Sequence, residues 1–167
     1  MFEIERKYII FKPDESVLSA QEDYSESKIE QVYISVGGGV CRRIRKRCGG
    51  GRTVCTETIK TTVSAVRSVE DEHEISLDEY EKLYRERDLS RSVINKTRRI
   101  FRYRGQLFEL DYYPFWQKTC IMETELRTED EKIEIPPFIK IAEEVSEKIE
   151  YKNFSIAERI PPERTYD

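Results

Sequence analysis

The chain begins Met1-Phe2-Glu3-Ile4-Glu5-Arg6-Lys7-Tyr8-Ile9-Ile10, and this stretch decides how the rest is interpreted. In a β-strand, residues two apart point to the same face. Glu3, Glu5 and Lys7 would therefore share one face, with apolar side chains on the other. A strand buried in an ordinary core does not normally align charges on one side. The pattern suits a hard, charged ligand, with a divalent cation on the carboxylates and a phosphate on the lysine.

Six later strand-like segments repeat this alternation of charged or polar and apolar residues. A common cause would be long antiparallel strands that close into a barrel with their charged faces in the lumen. Such a lumen must be wet or occupied, because unpaired charges in a dry interior are costly. The positions that would share the lumen are Arg43, Arg45 and Arg47; Thr56, Thr58 and Lys60; Glu70, Glu72 and Glu74; Lys96 and Arg98; Glu109 and Asp111; Glu123 and Glu125.

Composition narrows the class of protein. The chain has 167 residues, of which 37% are charged, yet its formal net charge is only −4. A single domain that is not a nucleic-acid binder is expected, and any anion site must come from local segregation of Lys and Arg. No run is long enough to span a membrane and the start lacks the form of a signal peptide, so we expect a cytoplasmic protein with no membrane contact. The four cysteines form no C-x-x-C pair and His73 is the single histidine, which predicts free thiols and no zinc site.

The predicted fold class is α+β, an eight-stranded antiparallel barrel with a charged lumen and flanking helices. Residues 1–158 would form one tunnel domain, and 159–167 a loosely ordered tail. The glycine runs at 37–39 and 49–51 lack the ending of a phosphate-binding P-loop and predict hairpin turns. The predicted strands are 1–10, 28–36, 40–47, 53–60, 63–75, 92–103, 106–113 and 119–126. The predicted helical segments are 13–27, 77–87, 138–144 and 151–157.

An ordered set of motifs resembles the CYTH superfamily, also called triphosphate tunnel metalloenzymes. The stretch Glu3-Ile4-Glu5-Arg6-Lys7 is similar to its ExExK signature. The other matches, in chain order, are Q-x-Y at 31–33, R-x-R at 43–45, T-x-K at 58–60, E-x-E at 72–74, I-x-K-x-R at 94–98, E-x-D at 109–111, E-x-E-L at 123–126, E-V-S at 144–146 and Y-x-N at 151–153. The resemblance implies a tunnel-shaped antiparallel barrel. It also implies hydrolysis of a triphosphate, with inorganic tripolyphosphate or a nucleoside triphosphate as substrate.

The resemblance and the residue chemistry together assign roles. Hard oxygen ligands suit Mg²⁺ or Mn²⁺, and the predicted metal ligands are Glu3, Glu5, Glu123 and Glu125. Arginine forks match phosphate oxygens, and the predicted substrate-binding residues are Lys7, Arg43, Arg45, Lys60, Lys96 and Arg98.

The predicted catalytic residues are Glu72, Glu74, Lys7 and Arg45. Either glutamate would align the attacking water, while the two cations would neutralise charge in the transition state. Glu109 and Asp111 are secondary candidates, as metal ligands or as partners that orient the arginines. Arg47 and Glu70 lie near strand ends and are expected to be solvated. Two other functions stay open at this point, a class IV-like adenylate cyclase and a non-catalytic polyphosphate- or nucleotide-binding module, and a homodimer is left open as well.

Overall fold

Nine strands form one antiparallel sheet that closes on itself. The structure is a computed structural model and describes residues 1–166. The strands are β1 Phe2–Phe11, β2 Glu22–Gly37, β3 Val40–Gly49, β4 Arg52–Thr62, β5 Arg67–Ile75, β6 Ile94–Tyr103, β7 Gln106–Tyr112, β8 Thr119–Leu126 and β9 Ile141–Glu144. Their order is β5-β4-β3-β2-β6-β7-β8-β1-β9, and β5 also pairs with β1. Strands β1 to β8 therefore form a closed eight-stranded barrel, as the sequence predicts, and β9 pairs with the later half of β1.

The two glycine runs form hairpin turns, which confirms the prediction. Gly38 and Gly39 link β2 to β3 with φ angles of +59° and +76°. Most L-residues avoid this left-handed region, and the twist of such a turn matches that of the flanking strands. The next hairpin, between β3 and β4, has the same construction.

The outer face of the barrel is apolar and carries two of the three core clusters. Helix α2 (Leu77–Arg85) covers Val32, Ile44 and Cys55 with its own Tyr80 and Leu83. Another part of the outer face packs against Leu18 of helix α1 (Glu15–Ser19) and against segment 133–139; its strand residues are Tyr8, Ile10, Phe101, Phe108, Leu110, Cys120 and Met122. Burial of the outer face supplies the hydrophobic driving force, so the lumen can stay polar.

The third cluster closes one end of the lumen. A 3-10 helix at Ile149–Tyr151 and helix α3 (Asn153–Glu158) form a segment that we call the plug, residues 149–158. Its Tyr151, Ile156 and Ala157 pack with Trp116 against the strand residues Ile9, Tyr33, Ile94, Tyr113 and Ile121. Trp116 thus helps to close this end of the barrel.

Four predicted elements differ from the structure. Only Glu15–Ser19 of the segment 13–27 is helical, because residues 22–27 continue β2 and pair with β6. The helix expected at 138–144 is wrong, since 141–144 form β9 against β1. Residues 63–66 are a bend and not strand, and the helix predicted at 151–157 starts at Asn153 after the 3-10 helix. None of the helices within residues 1–166 has the length and apolarity needed to cross a membrane.

Residues 159–166 have no regular secondary structure but are tied to the barrel. The Glu163 carboxylate accepts hydrogen bonds from the backbone N–H groups of residues 117, 118 and 119 at 2.7–2.9 Å. The indole Nε1 of Trp116 donates to the Pro161 carbonyl at 3.0 Å. Asp167, the last residue of the predicted tail, lies outside the described residues.

Candidate active site

The lumen holds a polar cavity of about 260 Å³. Alternation along seven strands brings the charged faces together, as the sequence predicts. The predicted site residues that line the cavity are Glu3, Glu5, Lys7, Arg43, Arg45, Lys60, Glu72, Arg98, Glu123 and Glu125. Lys96 and Glu74 are the two that do not line it. Lys96 is buried beneath the cavity, and Glu74 is exposed opposite Thr56 in the β4–β5 pair.

A buried network of ion pairs lies on one side of the lumen. We call it the ion network, and its members are Lys7, Lys96, Arg98, Glu109, Asp111 and Glu123. Asp111 accepts bonds from Lys96 Nζ at 2.6 Å and from Arg98 Nε at 2.7 Å. Burial would raise the pKa of Asp111, but the charges of Arg98 and Lys96 outweigh it and lower the pKa to about 2. This carboxylate is therefore ionised, and both of its oxygens accept hydrogen bonds from Lys96 or Arg98.

Glu123 is also committed to the ion network. Its Oε1 lies 2.7 Å from Lys7 Nζ, and its Oε2 lies 3.1 Å from Arg98 Nη2. Burial opposes ionisation, yet Lys7 and Arg98 hold the pKa of Glu123 well below its usual range. Both oxygens are already engaged, so binding a metal as predicted would require Glu123 to exchange an ion pair for the metal.

Lys96 supports the network and does not face the cavity. Burial lowers the pKa of its ammonium to about 8, against the attraction of Asp111 and with added repulsion from Arg98 and Arg45. Lys96 therefore cannot touch a substrate in the cavity directly, although such a contact was predicted; it could influence the substrate only through its ion pair with Asp111.

The opposite side of the lumen carries cations with fewer partners. Arg43 Nη2 lies 3.4 Å from Glu70, and Lys60 Nζ lies 2.7 Å from it. The side chain of Glu70 is only 10% exposed. The expectation that Glu70 is solvated is therefore wrong, because closure of β5 against β1 places this carboxylate between two cations. Arg47 likewise lines the cavity and donates to Ser27 Oγ at 2.9 Å.

Arg45, like Arg47, donates its side-chain hydrogen bonds to a neutral side chain. Its guanidinium donates to Gln31 Oε1 at 2.9 and 3.1 Å, and no carboxylate of residues 1–166 lies within 4.0 Å. Burial and repulsion from Arg43 and Arg98 lower its pKa to about 10. The lumen therefore holds a fixed positive charge that lacks a counter-ion.

Three further carboxylates of the lumen are only loosely paired: Glu3 lies 3.7 Å from Lys60 and Glu5 lies 3.8 Å from Lys7, while Glu125 makes no ion pair within residues 1–166. We call Glu3, Glu5 and Glu125 the acidic cluster. Burial and repulsion from Glu70 raise the pKa of Glu3 to about 7, and burial and repulsion from Glu5 raise that of Glu125. A divalent cation would relieve this repulsion, so the oxygen donors fit Mg²⁺ or Mn²⁺. Within residues 1–166, however, no three Asp, Glu, His or Cys side chains already converge as a metal site. The donors fit in kind, and their final arrangement would have to form on binding.

Glu72 and Glu74, either of which was predicted to align the attacking water, have different surroundings: Glu72 lines the cavity and Glu74 does not. Glu72 lines the cavity and accepts a 2.6 Å hydrogen bond from Thr58 Oγ1. His73 lies between them in β5 and points away from the lumen, because successive side chains of a strand alternate between its faces; it lies 3.4 Å from Glu57.

Sequence reasoning missed the residues that the plug contributes. Lys152, Asn153 and Phe154 line the cavity, as does Tyr33 of β2. Lys152 Nζ donates to the Ala65 carbonyl at 3.0 Å, and burial and the charges of Lys7 and Lys60 lower its pKa. The Y-x-N match at 151–153 was the only signal, because strand alternation carries no information about a segment that folds over the end of the barrel.

No protein-family model matches the chain, and no curated protein matches it significantly. Solved structures do. Two crystal structures of the protein NE1496, described in one as hypothetical and in the other as an inorganic triphosphatase, are 28% identical to the chain, with a TM-score of 0.58. The match covers 95% of this chain and 99% and 96% of theirs. The PH1819 protein from Pyrococcus horikoshii OT3 is 24% identical over 77% of this chain and 80% of its own, with a TM-score of 0.56, and supports the fold alone.

The fold agrees with the class of protein that the sequence motifs indicate. A closed eight-stranded antiparallel barrel with a charged lumen matches the CYTH tunnel fold. The similarity to NE1496 supports the superfamily that the motifs indicate.

Proposed function

We propose that this chain is a metal-dependent triphosphatase that acts on inorganic tripolyphosphate. The observation that carries the proposal is Arg45, a cation held in the lumen with no carboxylate partner within residues 1–166. A bound polyanion would supply the missing counter-charge. The inorganic triphosphatase activity named for NE1496 supports the same reaction.

The cavity supports a small inorganic substrate over a nucleotide. Its volume is about 260 Å³ and most of its lining residues are charged. The aromatic residues on the lining are Tyr33 and Phe154 within residues 1–166. A nucleoside would require a base-recognising pocket, whereas tripolyphosphate requires only cations and hydrogen-bond donors along its length.

The chain's own residues account for most of the chemistry. Lys7, Arg43, Arg45 and Lys60 would bind the non-bridging oxygens and hold the charge of a loose phosphoryl-transfer transition state. Lys96 and Arg98 would fix the ion network beneath them. Glu72, anchored by Thr58, would orient the attacking water.

The metal would be held by Glu3, Glu5 and Glu125, and Glu123 could join by exchanging an ion pair. When bound, Mg²⁺ or Mn²⁺ supplies additional positive charge to the phosphate oxygens. The acidic cluster supports this assignment, because burial, together with repulsion from neighbouring carboxylates, already raises the pKa values of Glu3 and Glu125.

A substrate panel tests the proposal. Tripolyphosphate, ATP, GTP and thiamine triphosphate are each incubated with Mg²⁺ or Mn²⁺, and every product is quantified. We expect orthophosphate and pyrophosphate from tripolyphosphate at the highest rate. Cyclic AMP from ATP would favour the cyclase, and tight binding without any product would favour a binding module.

Two variants and a matched control assign the activity to the lumen. Glu5→Gln and Arg45→Ala should each lower turnover at least about a hundredfold, the scale of losing one charge-stabilising group. Arg42→Ala is the control, because Arg42 precedes Arg43 on the same strand but pairs with Glu57 on the outer face. Wild-type turnover in folded Glu5→Gln and Arg45→Ala would refute the assignment.

A further inference from the structure

The plug places an amide side chain in the lumen. Asn153 lines the cavity, and its Oδ1 accepts a 2.6 Å hydrogen bond from the Tyr113 hydroxyl. Tyr113 is 2% exposed and follows β7, two residues after Asp111 of the ion network. This hydrogen bond joins the plug to the residue that directly follows β7.

This hydrogen bond determines which end of the amide faces the cavity. The Tyr113 hydroxyl is the donor of this hydrogen bond, and the amide oxygen Oδ1 is the acceptor. The carbonyl oxygen of the amide is then occupied. Asn153 Nδ2 has no hydrogen-bond partner among residues 1–166, which leaves two N–H donors for a ligand in the cavity.

The surroundings of Asn153 favour a phosphate oxygen as that ligand. The neighbouring Lys152 lines the same cavity as Lys7 and Lys60, and burial together with the charges of these two lysines lowers its pKa. Three ammonium groups therefore surround the part of the cavity next to the plug. A neutral donor adds a hydrogen bond to an anion held there without adding to their mutual repulsion.

We propose that Asn153 contacts the substrate through Nδ2 and binds a phosphate group at the closed end of the lumen, and that Tyr113 is a positioning residue that orients it. The inference rests on the proposed function only in naming tripolyphosphate as the ligand. The hydrogen bond would select anions that reach the plug.

Three variants test the inference. Asn153→Asp preserves shape and Oδ1 but replaces the donor by a carboxylate oxygen, and we expect at least about tenfold weaker tripolyphosphate binding. Asn153→Ala should weaken binding by about threefold to tenfold. Tyr113→Phe removes only the hydroxyl and should produce a similar or smaller loss.

Binding is read as Kd by calorimetry in EDTA, and as KM in Mn²⁺. We expect KM to rise with little change in kcat. Tyr113→Phe should add no further loss to Asn153→Ala, because both remove the same contact. Tyr112→Phe is the matched control, since it removes a hydroxyl from the adjacent residue, which packs on the outer face beside Arg99.

The outcomes separate this inference from the proposed function. Wild-type Kd and KM in both Asn153→Asp and Tyr113→Phe would overturn the inference while leaving the triphosphatase intact. Independent, additive losses would also overturn it, because Tyr113 would then act by another route. If the wild type binds tripolyphosphate more tightly than Asn153→Asp but hydrolyses nothing, the inference holds and the proposed function fails. Absence of binding in both assays would overturn both. Should Asn153→Asp not fold, Asn153→Ser supplies the same comparison, with weaker binding expected.

Discussion

Glu123 and Glu125 lie two residues apart on the same face of β8, yet their glutamine variants should behave in opposite ways. Glu123 is buried between Lys7 at 2.7 Å and Arg98 at 3.1 Å. Glu125 makes no ion pair within residues 1–166, and burial and repulsion from Glu5 raise its pKa. One glutamate therefore serves mainly to hold cations, and the other is available to a metal.

The cost of Glu123→Gln follows from these contacts. Removing one partner of a buried ion pair costs about 3–5 kcal/mol, because it leaves an uncompensated charge. Lys7 would retain only Glu5 at 3.8 Å, while Arg98 keeps Asp111. Glutamine preserves the shape and some hydrogen bonding, so we expect about 3 kcal/mol, at the lower end of that range. For a chain of this size the melting temperature should then fall by about 6–12 °C.

Glu125→Gln removes a negative charge that its neighbours repel. Its stability should be unchanged or higher by up to about 1 kcal/mol. The order of the two variants should be the opposite for metal binding. We expect the Mn²⁺ affinity to fall at least about tenfold in Glu125→Gln and to change by no more than about threefold in Glu123→Gln. Urea unfolding in EDTA measures the stabilities, and calorimetry on substrate-free protein measures Mn²⁺ binding. Unchanged stability of Glu123→Gln together with loss of Mn²⁺ binding would refute the reasoning.

Three further predictions concern Glu3, the plug and the tail. The pKa of Glu3 is raised from 4.5 to about 7, so the folded state holds this proton more tightly than the unfolded state and loses stability as the pH rises between those values. The stability of Glu3→Gln should therefore increase relative to that of the wild type from about pH 5 to 7, as measured by urea unfolding in EDTA. Lys152→Met should weaken tripolyphosphate binding about tenfold by calorimetry without lowering the melting temperature, because burial and Lys7 already disfavour its charge. Glu163→Ala should lower the melting temperature by about 2–4 °C at pH 7, because its carboxylate accepts three backbone hydrogen bonds.

Each of these has a result that would contradict it. A pH-independent difference between Glu3→Gln and wild type would show that Glu3 titrates normally. Lys152→Met is compared with Lys82→Met on the exposed face of α2, and equal binding by the two would remove Lys152 from the site. An unchanged melting temperature for Glu163→Ala would mean that the tail contributes nothing to stability.

The barrel could be predicted from sequence because its signal is local. A strand fixes which side chains share a face, so Glu3, Glu5 and Lys7 had to point the same way wherever the strand lay. Repetition of that pattern in several strands then required a shared interior. The glycine runs marked two of the hairpins for an equally local reason, since the turns require positive φ.

Partner choice inside the lumen could not be predicted in the same way. Glu70 was expected in solvent because it lies near the end of its strand, but pairing of β5 with β1 places it against Arg43 and Lys60. The alternation of side chains along a strand predicts which of them point into the lumen, but it does not predict which charged groups they will contact there. The allocation of Glu123 to Lys7 depends on the register of β1 against β8, which is a property of the closed sheet.

The position of the plug over the end of the lumen and the existence of β9 were missed, because both depend on the surface that these segments cover. Residues 141–144 lack a strong strand pattern and become a strand only because β1 offers an open edge beyond its pairing with β5. Asn153 and Phe154 reach the cavity because Tyr151, Ile156 and Ala157 fill the end of the barrel.

The two charge imbalances in the lumen have a joint consequence. Arg45 is a cation without a counter-ion, whereas Glu3 and Glu125 are carboxylates that repel their neighbours. A phosphate chain alone would neutralise Arg45 but would be repelled by Glu3 and Glu125. A metal ion alone would neutralise the two carboxylates but would be repelled by Arg45. A metal–triphosphate complex would neutralise both groups. The metal and the triphosphate should therefore each bind more tightly when the other is present, and the two affinities should rise by the same factor. The part of the ion network formed by Lys96, Asp111 and Arg98 can stay fixed throughout, because these charges are already paired with one another.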